Sequence, residues 1–303
     1  MSVMVVGSIA LDTLRMPNKK EYKNVPGGSC TYFIHSAHYF SPVRVVGVVG
    51  DDFPKKCLDG FKKCKADLAG LQMLKGEKTF QWHGTYMADM NERVTDALHF
   101  GVLGGFNPVL PAKFRSTKTV FLACSMPHLQ ARVLDQMSGS PLAVCDTIEV
   151  YIKNDRKILD KVIRRCQGMV VNDAEIRLLA GTDNLVAAST AMLRKYKLQF
   201  LVVKKGEHGG LLAHKDKVHP FPAYPLAKVA DPTGAGDSFA GGFVATLART
   251  GKTDLKTLKA AIVNATAVAS YACEGVGLAG LNRAAAKDVK ARATEFARLA
   301  SQV

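Results

Sequence analysis

No stretch of this chain stays apolar for the roughly 20 residues that a membrane-crossing helix needs. Its start, Met1-Ser2-Val3-Met4-Val5-Val6, lacks a basic leader and breaks at Gly7. A span and a secretory signal are therefore not expected, and a soluble cytoplasmic protein is. The seven cysteines (Cys30, Cys57, Cys64, Cys124, Cys145, Cys166, Cys273) never form a C-x-x-C pair. That argues against a disulfide framework and a zinc site, so the thiols should be reduced and mostly packed. The eight histidines are dispersed along the chain, and none is expected to bind a metal. Dense basic blocks with interleaved aromatics are missing as well. The net charge of +15 is spread along the chain, so nucleic acid is not expected as a partner, whereas a positive field suits a nucleotide substrate. Neither internal repeats nor low-complexity tracts occur.

What is present is a chain of 303 residues, 48% hydrophobic, that can bury a large core. Val43–Val49, Thr119–Ala123, Leu142–Asp146, Gly168–Asn172 and Phe200–Lys204 are short β-branched runs that predict buried strands. Between them, Gln130–Met137, Ile158–Cys166 and Asn184–Tyr196 carry apolar residues at helical spacing. That order implies a mostly parallel sheet covered by helices, with ligands collecting beyond the C-terminal ends of the strands. Two stretches break the alternation: the polar, lysine-rich Thr13–Pro26, and Phe80–Phe100 with Trp82, Tyr86 and the polar run Asp89–Arg93. Both read as strands of a small accessory sheet. Ala284–Leu299 reads as a surface-packed helix.

The most informative string is Asp231-Pro232-Thr233-Gly234-Ala235-Gly236-Asp237-Ser238-Phe239-Ala240-Gly241-Gly242-Phe243. Gly234, Ala235 and Gly236 can present successive backbone N–H groups, and a following helix adds its unpaired N–H groups and positive dipole end. A carboxylate beside such an anion site is costly unless it has a task, and Asp237 there suggests a base for a hydroxyl attacking a phosphoryl group. An ordinary glycine-rich turn capped by an acid is the other reading of a bare G-x-G-D. The full string, however, closely resembles the signature of the ribokinase-like (PfkB) carbohydrate kinase family. The resemblance implies an α/β, three-layer sandwich over residues 1–303 with a mostly parallel central sheet. It also implies a small β-lid from about 13–26 and 78–101, an ATP-dependent kinase, Asp237 as base and Gly234 to Asp237 as the anion hole.

Other segments match the family in chain order. Asp12, just past the strand and turn Val3–Leu11, is either a surface or capping acid or a group accepting bonds from sugar hydroxyls; the resemblance implies the second. Gly27 and Gly28 precede a helix, and Val45–Asp52 follows with a G-x-V-G-x-D strand end similar to the family's N-terminal signature. Many relatives carry an Asn after the Gly pair, whereas this chain has Thr31-Tyr32-Phe33, which implies a differently shaped acceptor pocket. Asn172 and Glu175 are spaced either as a helix capping box or as the family's N-x-x-E, which implies nucleotide and Mg²⁺ contact, with Glu175 the outer metal carboxylate. Lys204, Gly206 and Gly209 form a basic turn implied to meet ATP, with a solvated hairpin as the alternative. Asn264, in the small-residue helix Ala261–Cys273, is implied beside adenine. Asn91 and Arg93 in the lid are candidate acceptor contacts, with a plain surface role equally open.

The expected acceptor is a sugar or sugar-like polyol; the alternatives are a nucleoside, on which Tyr32, Phe33 and Trp82 would stack, and a non-catalytic sugar-binding regulator. A monovalent cation at the anion hole and a homodimer through the lid are further possibilities that the resemblance implies.

Overall fold

The computed structural model describes residues 1–90 and 93–301. Among these described residues, thirteen strands form two sheets: β1 (Val3–Val6), β2 (Ala10–Arg15), β3 (Glu21–Gly27), β4 (Val43–Gly50), β5 (Asp67–Leu74), β6 (Gln81–Tyr86), β7 (Arg93–His99), β8 (Thr119–Leu122), β9 (Leu142–Cys145), β10 (Gly168–Asn172), β11 (Phe200–Lys204), β12 (Gly210–His214) and β13 (Lys217–Phe221). The helices are α1 (Ser29–Ala37), α2 (Lys55–Lys63), α3 (Ala112–Arg115), α4 (Pro127–Gln136), α5 (Glu149–Asn154), α6 (Arg156–Ile163), α7 (Asp173–Ala180), α8 (Leu185–Tyr196), α9 (Ala235–Thr250), α10 (Leu255–Cys273), α11 (Ala279–Arg283) and α12 (Ala286–Ala300). The large sheet has the order β13-β12-β11-β10-β9-β8-β1-β4-β5, parallel except for the antiparallel pairs β11–β12 and β12–β13.

Successive strand residues point to opposite faces, and both faces are covered. Met4 and Val6 join Val120, Leu122, Met169, Val171, Leu201 and Val203 on one face, where α4, α6 and α8 supply Val133, Leu159 and Met192. Val3 and Val5 join Phe121, Val144, Val170 and Val202 on the other, under Phe33 of α1 and Phe243 and Val244 of α9. The five expected strands and three expected helices all form. Edge strands β5 and β13 had not been expected. Both are only partly buried, and β13 contains Pro220, which an edge tolerates because its missing N–H faces no neighbour.

The two segments that interrupt the alternation form the second sheet, ordered β3-β2-β6-β7. It has its own small core of Leu14, Met16 and Tyr86, with Trp82 and Val25 packed beside them. Strands β8, β9, β10 and β11 end at Leu122, Cys145, Asn172 and Lys204, so Cys124, Asp146, Asn172 and Lys204 share one rim of the sheet.

Candidate active site

Helix α9 begins at the rim with Gly234 as its N-cap, at φ 71° and ψ 6°. A side chain at this position would be strained by that φ, and its Cβ would also fall 2.1 Å from the buried Tyr32 ring beneath the turn. Asp231 holds the turn from the core side. Its two oxygens accept the Thr233 and Gly277 N–H groups, each at 2.8 Å. The N–H of Ala235 bonds back to Pro232, and that of Ser238 to Gly234. The backbone from Gly234 to Asp237 is thus fixed with its free amides at the positive end of a 16-residue helix.

Three carboxylates and a lysine meet there. Lys204 Nζ lies 3.5 Å from Asp146 Oδ2, and 3.1 Å from where a Cβ on Gly236 would stand, so the lysine reaches the anion turn itself. Asp237 is pushed up to about 6, first by burial and then by Asp146, while Lys204 and Arg93 pull it back. Burial, reinforced by Asp146, pushes Glu175 up to about 8. Asp146 is raised by its own burial, and Lys204 opposes the rise. Burial alone would lower the lysine, yet Asp146, Glu175 and Asp237 outweigh it and hold Lys204 above its ordinary value. A buried cation among three acids, beside unpaired amides, fits a polyanion whose own charge is offset by a metal.

Asn172 and Glu175 form the reciprocal capping box of α7: Asn172 N–H donates to Glu175 Oε2 at 2.7 Å, and Glu175 N–H to Asn172 Oδ1 at 2.8 Å. The capping reading of this spacing therefore holds, and it leaves Glu175 turned toward Asp146 and Lys204. Gly206 and Gly209 lie in the turn between β11 and β12, both at positive φ. Asn264 donates to Thr246 Oγ1 at 3.1 Å, tying α10 to α9.

On the lid side, Asp12 is 4% exposed and its Oδ1 has no hydrogen-bond partner among the described residues. Gly27 makes room for it, since a Cβ there would overlap Asp12 Oδ2 at 1.8 Å, and Gly28 caps α1. Burial raises Asp12 to about 8; a bond from the Trp82 N–H opposes the rise, and Asp231 and Asp237 add to it. Arg93 faces Asp237 and Glu175 across the site, whereas Asn91 lies outside the described residues. The stacking expectation requires correction. Phe33 is buried against Phe121 at 5.0 Å in the core, and Tyr32, 1% exposed, lies under Gly234, so neither ring can receive a base. Trp82 alone of the three remains half-buried in the lid.

Asp146, Asp231 and Tyr86 escaped the sequence reading. Asp146 had a usable signal, an acid at the end of a strand where ligands collect. Tyr86 had none, for its hydroxyl meets Thr233 Oγ1 at 2.7 Å across 147 positions of sequence.

Residues 143–284 match the model of the pfkB family carbohydrate kinases. The cytidine kinase of Thermococcus kodakarensis is 28% identical over 256 residues, 82% of this chain and 89% of that protein. The Methanocaldococcus jannaschii nucleoside kinase superposes with a TM-score of 0.78 at 21% identity, covering 97% of this chain and 98% of its own. An Escherichia coli protein described as a ribokinase II, solved with ATP and Mg²⁺, superposes with a TM-score of 0.79 at 17% identity, covering 97% of this chain and 99% of its own. The turn before α9, the acid behind it and the small sheet over Asp12 sit in a ribokinase-like fold, and residues 143–284 carry the pfkB family carbohydrate kinase match.

Proposed function

We propose that the protein transfers the γ-phosphoryl group of ATP to a hydroxyl on the sugar of a nucleoside. The observation that carries the kinase reading is Asp237 at the first turn of α9, sharing a largely buried site with Lys204 and the free N–H groups of Gly234 and Gly236. Asp12 accepts a hydrogen bond from the acceptor through its unpaired Oδ1, and the lid keeps water from the site. Asp237 takes the proton of the attacking hydroxyl. The turn amides, Lys204 and Arg93 stabilise the charge spread over the transferring group. Lys204, Asn172, Gly206, Gly209 and Asn264 hold the nucleotide. Glu175 stands as the outer carboxylate for Mg²⁺, which neutralises phosphate charge when bound with ATP.

Supporting the nucleoside over a free sugar is the match to the cytidine kinase, which runs along most of both chains, with Trp82 the lid aromatic open to a base. The whole chain acts as one catalytic unit in this reading. Copies pair through the lid edge β7, where Val94, Leu98 and Phe100 are each nearly half exposed.

The test is acceptor-dependent ADP release with Mg-ATP across nucleosides, pentoses, hexoses, sugar acids and inositols, beside Asp237→Asn. We expect a nucleoside to give the highest kcat/KM and the variant to lose about 10²–10⁴-fold in turnover, the usual weight of a general base. A variant at near-normal rate would remove Asp237 from that role, and preference for a free sugar would overturn the acceptor assignment. Repeating the assay with and without potassium tests the monovalent cation.

A further inference from the structure

The turn that carries the anion hole is gripped from two sides. From the core, Asp231 fixes the Thr233 N–H and, through its other oxygen, the Gly277 N–H. From the lid, the Tyr86 hydroxyl meets the Thr233 side chain at 2.7 Å. Gly234, whose φ of 71° sets the direction of the following amides, is the next residue. A rotation at Thr233 therefore moves the N–H groups of Gly234 to Gly236 directly.

Tyr86 cannot move independently of the lid. Its ring is 4% exposed and sits in the lid core with Leu14 and Met16. It ends β6, and four residues earlier on the same strand the Trp82 N–H donates to Asp12, the acid that faces the acceptor. Tyr86 also pairs with Arg93 of β7 beyond the register shift between His83 and Gly84, so both side chains leave the same face of the lid. One strand thus touches the acceptor's acid at one end and the phosphate turn at the other.

We propose that Tyr86 is a positioning residue for phosphoryl transfer: its hydrogen bond to Thr233 lets the lid, seated on its acceptor, set the alignment of the Gly234–Gly236 amides. The proposal rests on the kinase reading and extends it. ATP can bind to Lys204 and the turn without this bond, but the amides reach their working geometry only while the lid holds Thr233. Interactions of that kind change kcat more than ground-state binding.

The test is a double-mutant cycle with Tyr86→Phe and Thr233→Val, followed by acceptor-dependent ADP release and by melting of each protein. Each single variant is expected to lose about tenfold in kcat, the scale of one hydrogen bond between neutral groups, with the KM for ATP within about twofold of wild type. The double variant should be no worse than Thr233→Val alone, which already removes the Tyr86 bond together with the Thr233 side-chain bond to Asp231. Thr233→Ser keeps the hydroxyl and should restore most of the rate, which also covers the case of Tyr86→Phe failing to fold. Multiplying effects in the double variant, or lowered melting temperatures with kcat unchanged, would overturn the positioning role while leaving the kinase reading intact. A wild-type protein that releases no ADP with any acceptor would overturn the kinase reading and this proposal together.

Discussion

Asp237 and Asp12 have both been moved out of the ordinary carboxylate range, with different consequences. Asp237, at about 6, can fill the proposed role of base only when ionised. The acid limb of kcat/KM should therefore bend near pH 6 and fall about tenfold per pH unit below it, which a pH–rate profile would read. Asp12, at about 8, binds a proton in the folded protein that the unfolded chain releases near 4. Its contribution to stability is full below the unfolded value and is lost as pH rises toward 8. Asp12→Asn should flatten the fall in melting temperature between pH 5 and 8; an unchanged slope would show that other groups set it. Asp12, Asp237 and Lys204 could be named from the sequence because each lies inside a local string. Asp146 and Asp231 gain their meaning from partners 58 and 46 positions away, which local pattern does not carry.

Among the elements, the buried parallel strands and their covering helices were legible, because burial on both faces leaves continuous β-branched runs. Strands β5 and β13 were not, since an edge position relaxes the hydrophobic pattern that sequence reading depends on. The spacing of Asn172 and Glu175 allowed two roles, and only the fold shows that the capping box forms. The turn before α9 is the element least able to absorb change. Gly234→Ala would place a methyl group into the Tyr32 ring at a φ that only glycine adopts freely. We expect at least a hundredfold loss of kcat through misplaced amides, as when oxyanion donors are removed, together with a lower melting temperature. A variant that melts earlier yet turns over normally would mean that the turn tolerates displacement.

For the whole molecule, the edge of the lid makes a testable claim about assembly. Val94, Leu98 and Phe100 are 48%, 46% and 46% exposed along or just beyond the edge strand β7, and unpaired edges of this kind invite a partner. Light scattering should find a dimer that Leu98→Lys converts to monomer; a wild-type monomer at high concentration would end that assignment. The sequence reading anticipated the lid segments but could not show which strand would lie at the edge, because register and order are properties of the assembled sheet.

The order of strands also has a consequence for how the molecule is made. From β8 to β13 the large sheet adds neighbours in the sequence in which they leave the ribosome, so six of its nine strands can be laid down one by one during synthesis. The lid strands β2, β3, β6 and β7 are translated before that run begins, yet the turn they must close upon is supplied only after residue 231. A nascent chain therefore carries its cover long before the pocket has a floor, and it stays inert toward nucleotide until the final quarter has emerged.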